Sequence, residues 1–190
     1  MIRSTLFAST TLLFATMAPA QDYHSQMLSF LQDEIMPWAS SDVLIDAVRA
    51  QNGTTAAYTQ ADIDALDAAW RAEIGQTDRP TIDPVVNNAA SDFLRDRVAA
   101  AGGTITEVFV MDARGLNVAA SDVTSDYWQG DEAKFSETFP NGAGASHISE
   151  VEYDESTQTY QAQISFPIVD PASNEVVGAA TVGVNADALF

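Results

Sequence analysis

The chain contains no cysteine. That excludes thiol nucleophiles, disulfides, cysteine-ligated zinc and a lipid-anchored N-terminal cysteine. Basic residues are scarce: 8 Lys and Arg stand against 27 Asp and Glu, a formal net charge of −19. Nucleic acid and anionic membrane surfaces both require a basic patch to meet phosphate, so neither is an expected partner. The sequence has no Gly-x-Ser-x-Gly elbow, phosphate loop or dinucleotide fingerprint. Acids are so abundant that a pair of them does not signal glycosidase chemistry. No catalytic residue is assigned, and the chain is expected not to be an enzyme. Two histidines without cysteine make a poor zinc set, and no twelve-residue calcium loop is present, so no metal and no cofactor are expected.

What is present is a chain of 190 residues, 46% of them apolar, enough for one domain with a full core. The acid excess confers solubility and draws cations over long range. Met1-Ile2-Arg3 is a short basic start, Leu6 to Met17 is apolar but too short to span a bilayer comfortably, and Ala18-Pro19-Ala20 has the small-x-small pattern of a cleavage site. Residues 1–20 therefore read as a signal peptide, and the mature chain as a periplasmic protein without a membrane span.

From residue 21 to 101 the apolar period is helical. Met27, Leu28, Leu31 and Ile35 make one stripe, ended or kinked by Pro37. Ser41-Asp42 opens a second helix that Asn52-Gly53 stops, and Thr59 with Asp62 approaches a capping box for a third. Asp83-Pro84 opens a fourth, running to Gly102-Gly103. After Gly103 the period becomes two. Val108 to Met111 and Leu116 to Ala120 are short strands around the turn Asp112-Ala113-Arg114-Gly115, where Asp bonds its own backbone and Gly accepts positive φ. A long connection, Asp122 to His147, leads to three more strands: Glu150–Asp154, Tyr160–Ile168 and Val176–Val184. The expected fold is α+β, with N-terminal helices on a five-stranded antiparallel sheet.

The hairpin Val110-Met111-Asp112-Ala113-Arg114-Gly115 resembles the opening hairpin of Cache domains, the PAS-like extracytoplasmic sensor modules of bacteria. Gly178 through Val184-Asn185, followed by Asp187-Ala188-Leu189, is similar to the family's last strand and the short helix after it. The resemblance covers residues 84–190 well and the preceding helices loosely. It implies a PAS/Cache-like sensor core over 102–190 behind a helical segment over 21–101. It also implies binding of an amino acid, amine or small organic acid between the sheet and the 122–147 connection. Most such domains are joined to a kinase or chemoreceptor, whereas this sequence stops just after the sheet. The expectation is a free binding protein, or an accessory module of a membrane sensor or receptor that need not bind a ligand itself.

The connection carries Asp126, Tyr127, Trp128, Asp131 and Glu132 close together. Adjacent Tyr127 and Trp128 cannot both enter the core from a regular strand, so one is free to wall a pocket. An aromatic wall with a carboxylate suits a cationic amine. Tyr127, Trp128, Asp131 and Asp126 are the candidate ligand-binding residues, with Tyr160 behind them. The alternative is a loop whose aromatics fasten it to the sheet and whose acids are solvated.

Overall fold

The computed structural model describes residues 19–154 and 159–189. The signal peptide expected over 1–20 falls almost wholly outside them. No helix among the described residues is long and apolar enough to cross a membrane.

Six antiparallel strands form one sheet: β1 (Ile105–Met111), β2 (Asn117–Ala120), β3 (His147–Ile148), β4 (Glu152–Asp154), β5 (Thr159–Asp170) and β6 (Glu175–Asn185). Their order is β2-β1-β6-β5-β3, with β4 also paired to β5. The expected five strands are thus six, because β3 and β4 share one edge of β5. His147 pairs with Ser165 and Glu152 with Gln161. A two-residue strand has no period to read, so β3 was hidden in the long connection.

The helices are α1 (Pro19–Phe30), α2 (Met36–Ala39), α3 (Asp42–Thr55), α4 (Gln60–Glu73), α5 (Ile82–Val86), α6 (Ala89–Ala100), α7 (Ala133–Ser136) and α8 (Ala186–Leu189). A π-helical segment, Leu31–Ile35, joins α1 to α2, so Pro37 sits in a continuing helix and does not end it. Asn52-Gly53 does not stop α3 either. Asn52 is a clamp on the sheet: its Nδ2 donates to Val177 O at 2.8 Å and its Oδ1 accepts from Ala113 N at 2.7 Å. The capping box at Thr59 and Asp62 is formed. The helix expected from Asp83 to residue 101 is two. Asn88, in extended conformation, breaks the run and caps α6 by accepting from Ser91 N. The start of α5 is satisfied from outside, where Glu73 Oε2 accepts from Thr81 N and Ile82 N at 2.8 and 3.0 Å. These bonds hold the Glu73 carboxyl below the usual carboxylate range against the opposing effect of its desolvation, with Arg79 adding to the lowering.

Both faces of the sheet are covered. Ala162, Ile164, Phe166 and Ile168 of β5 meet Met27, Leu31, Leu44, Val48 and Leu94 from the helices of one layer. Phe109, Met111 and Ala179 meet Ile63, Trp70, Ile82, Tyr127 and Phe135 on the other. The strands alternate because each face buries its own set. Gly178 lies where strand and helix crowd: a Cβ there would strike the carbonyl oxygen of Met111 and sit 3.0 Å from Val48 Cγ1. Gly178→Ala is expected to lower unfolding free energy by about 1–3 kcal/mol through overpacking. Urea denaturation measures it, and an unchanged midpoint would contradict the packing.

Candidate functional site

A cavity of about 730 Å³ opens along the β2 edge of the sheet, between α3, α5 and the start of α6. Its wall is largely apolar: Val43, Ala47, Leu66, Pro84, Val85 and Val118. Volume and lining are those of a small-molecule site. Polar groups converge from α3 and beyond it, namely Asp46, Gln51, Thr54, Thr55 and Tyr58, with Asn88 opposite and Tyr127 from the connection. No Lys, Arg or His lines it.

The inner end is organised by Asp112. Its carboxylate is fully buried and accepts four hydrogen bonds. Oδ1 takes Arg114 N and Leu116 N at 2.8 and 3.0 Å, the Asx turn that the sequence places there. Oδ2 takes Thr55 Oγ1 at 2.7 Å and Gln51 Nε2 at 3.2 Å. The two α3 residues that hold Asp112 therefore also line the cavity. Tyr127 is 9% exposed and stacks on Trp70, with ring centroids 5.3 Å apart. Burial pushes its phenol well above the ordinary tyrosine range, and the charge of Asp112 pushes the same way. The Tyr127 O–H stays protonated, a donor inside a field that is negative overall.

Helix α4 fixes this tyrosine. Asp67 Oδ1 accepts from the backbone N–H groups of Tyr127 and Trp128 at 2.9 and 3.1 Å. Trp70 Nε1 donates to Thr124 O at 2.8 Å, and Arg71 bridges Asp67 at 2.8 Å and Asp126 at 3.6 Å.

Of the five residues the sequence singles out, the structure brings only Tyr127 into this cavity. Trp128 is half-buried beside it and turns away, its Nε1 donating to Arg114 O at 2.9 Å. Asp126 braces the connection: its carbonyl accepts from Asn117 Nδ2 and Thr124 Oγ1 and its carboxylate from Gln129 Nε2. Asp131 is exposed and outside the lining. Tyr160, 53% exposed, sits at the far edge of the sheet against Tyr153, with centroids 5.3 Å apart. It continues the inward side of β5 but lies beyond the end of the core. Gln51, Thr55, Tyr58 and Asn88 were missed. For Gln51 and Thr55 the sequence signal is a polar stripe on α3, Asp46, Gln51, Thr54 and Thr55, beside the apolar one, whereas Tyr58 follows that helix and Asn88 caps α6.

A second cavity, about 420 Å³, does lie between β5 and the connection, where the resemblance implies a pocket. Glu132, Lys134, His147, Glu150 and Gln163 line it. Lys134 is paired with Glu132 at 2.9 Å, and His147 Nε2 is 3.9 Å from Glu137. Of its charged lining residues, Glu132 and Lys134 are thus engaged with each other.

No family model and no curated protein matches the chain. Among solved structures it is similar to the sensor domain of the histidine kinase DctB of V. cholerae: TM-score 0.48, 14% identity, 89% of this chain and 54% of that one. It is also similar to the sensory domain of the Campylobacter jejuni chemoreceptor Tlp3 with isoleucine bound: TM-score 0.41, 12% identity, 90% and 66%. A third is the ligand-binding domain of the Pseudomonas aeruginosa amino acid chemoreceptor PctC with GABA: TM-score 0.42, 12% identity, 90% and 63%. These are sensory or ligand-binding domains of a histidine kinase and of two chemoreceptors. The chain spans between half and two thirds of their lengths.

Proposed function

We propose that the chain is a periplasmic sensor domain of the Cache type that binds a small polar metabolite without turning it over. Residues 21–101 and 102–190 act together, since the helical segment supplies most of the cavity wall. The observation that carries this reading is the 730 Å³ cavity with Gln51, Thr55, Tyr58, Asn88 and Tyr127 at its polar positions and no cation in its lining. With Asp46 at its wall and the Asp112 charge behind Gln51 and Thr55, a ligand carboxylate would be desolvated without a partner. An amine with an apolar body is the preferred chemistry: its ammonium meets donor-acceptor groups and negative potential, and its body meets the aliphatic wall. A membrane sensor or receptor is the downstream partner.

Calorimetric titration with a panel of primary amines, neutral polar metabolites and short organic acids tests this. An amine or neutral compound binds, and Tyr127→Ala weakens it by about tenfold or more, the scale of losing a buried aromatic contact. Tyr160→Ala leaves it unchanged. Equal loss from both substitutions, or binding confined to the organic acids, would contradict the assignment.

A further inference from the structure

A different cleft, about 510 Å³, lies where α2, the C-terminal end of α6 and α8 meet. One wall is Phe30, Glu34 and Trp38; the other is Arg97 and Ala101, with Leu189 between. Arg49, Arg71, Arg79, Arg95 and Lys134 each pair with a carboxylate. Among the described residues Arg97 and Arg114 have no such pair, and the Arg97 Nε is buried without a hydrogen-bond partner. A buried donor without an acceptor is unfavourable, which marks the Arg97 guanidinium as incompletely satisfied. The guanidinium is held in place, its Cζ 5.0 Å from the Phe93 ring centroid, and Phe93 meets the Trp38 ring edge-on at 6.2 Å. Glu34 lines the same cleft, is exposed, and makes no ion pair among the described residues, with Arg97 or with any other base. It stands on the π-helical segment, a local widening that recurs at functional sites.

We propose that this cleft is a second binding site, for an apolar α-amino acid in its zwitterionic form. The Arg97 guanidinium takes the carboxylate, for which its planar donors are shaped. Glu34 takes the ammonium, helped by the C-terminal carbonyls of α6 at Ala100 and Ala101, where a helix end favours positive charge. The apolar side chain lies against Phe30, Trp38 and Leu189. A simple anion is disfavoured by Glu34 and by the helix end, and a simple cation by Arg97. Only a ligand carrying both charges satisfies both walls. The site draws on none of the residues of the larger cavity, so it stands or falls independently of the amine reading.

The test is calorimetric titration of the chain with L-leucine, L-phenylalanine and L-methionine. At least one binds. In the Tyr127→Ala background, where amine binding to the larger cavity is weakened, its decarboxylated amine and its deaminated acid each bind about tenfold or more weakly than the amino acid, the scale of one lost charge-assisted hydrogen bond. Arg97→Gln and Glu34→Gln each weaken binding by a similar factor, and Arg97→Lys recovers part of the loss. Both positions are at least partly exposed, so the variants keep the parent circular dichroism spectrum. Failure of all three amino acids to bind the folded chain, or binding that survives both Arg97→Gln and Glu34→Gln, overturns the assignment.

Discussion

Trp70→Ala is expected to destabilise the chain by about 3–5 kcal/mol, the range for removing a buried tryptophan. The indole is fully buried, stacks on Tyr127 at an interplanar angle of 12°, and donates to Thr124 O at 2.8 Å. Truncation leaves a void between α4 and the connection and frees one buried carbonyl. It also removes the surface that orients Tyr127, so any compound bound in the 730 Å³ cavity should weaken as well. Trp70→Phe keeps most of the volume and the stacking but loses the N–H, and should recover more than half of the stability. Urea denaturation of the three proteins checks the order. A Trp70→Ala loss below about 1 kcal/mol would mean that α4 and the connection are not locked together as described.

The second large effect is at Asp112. Replacing it by Ala leaves the amides of Arg114 and Leu116 without their acceptor and takes one acceptor from Thr55 Oγ1 and Gln51 Nε2, which keep bonds to Gln51 O and to Leu116 O and Asn117 O. Bonds to a charged acceptor are worth about 1.5–3 kcal/mol each but are not additive, so a total of about 3 kcal/mol or more is expected. Asp112→Asn can still accept the two backbone amides through Oδ1, while its new N–H₂ faces the donor Gln51 Nε2. Its loss should be smaller than that of Asp112→Ala. Equilibrium unfolding in urea gives both values. An Asn variant as damaged as the Ala variant would show that Oδ2, facing α3, does more than the turn. Because Gln51 and Thr55 also line the cavity, both variants should alter binding there, Asp112→Asn through the lost charge and the changed bonding of Gln51 and Thr55.

Much of the fold was legible because its elements are long and periodic. The apolar stripes of α1, α3 and α4, the Thr59–Asp62 box and the alternation of β5 all follow from local spacing. The errors fall where tertiary bonds override a local signal. Asn52-Gly53 reads as a helix stop, yet Asn52 is held inside α3 by its bonds to Val177 and Ala113. Asn88 divides one expected helix because its side chain caps the second half. The candidate site was half legible. The sequence offers both Tyr127 and Trp128 as ligand contacts without deciding which of them packs inward; in the structure Tyr127 lines the cavity and Trp128 does not. Of the polar companions of Tyr127, Gln51 and Thr55 come from α3 and Tyr58 and Asn88 from outside it, and no local pattern ties them to the connection. Asp126 and Trp128 have the chemistry of ligand contacts, but the loop uses that chemistry on its own backbone.

The central claim, that the cavity beside β2 is the ligand site and prefers an amine, is tested most directly by mapping amide chemical-shift changes during titration with the amine panel. The account predicts saturable shifts at Gln51, Thr55, Asn88 and Tyr127, with His147 to Gln163 undisturbed. Saturable shifts confined to the 147–163 edge, or none with any amine, would contradict it.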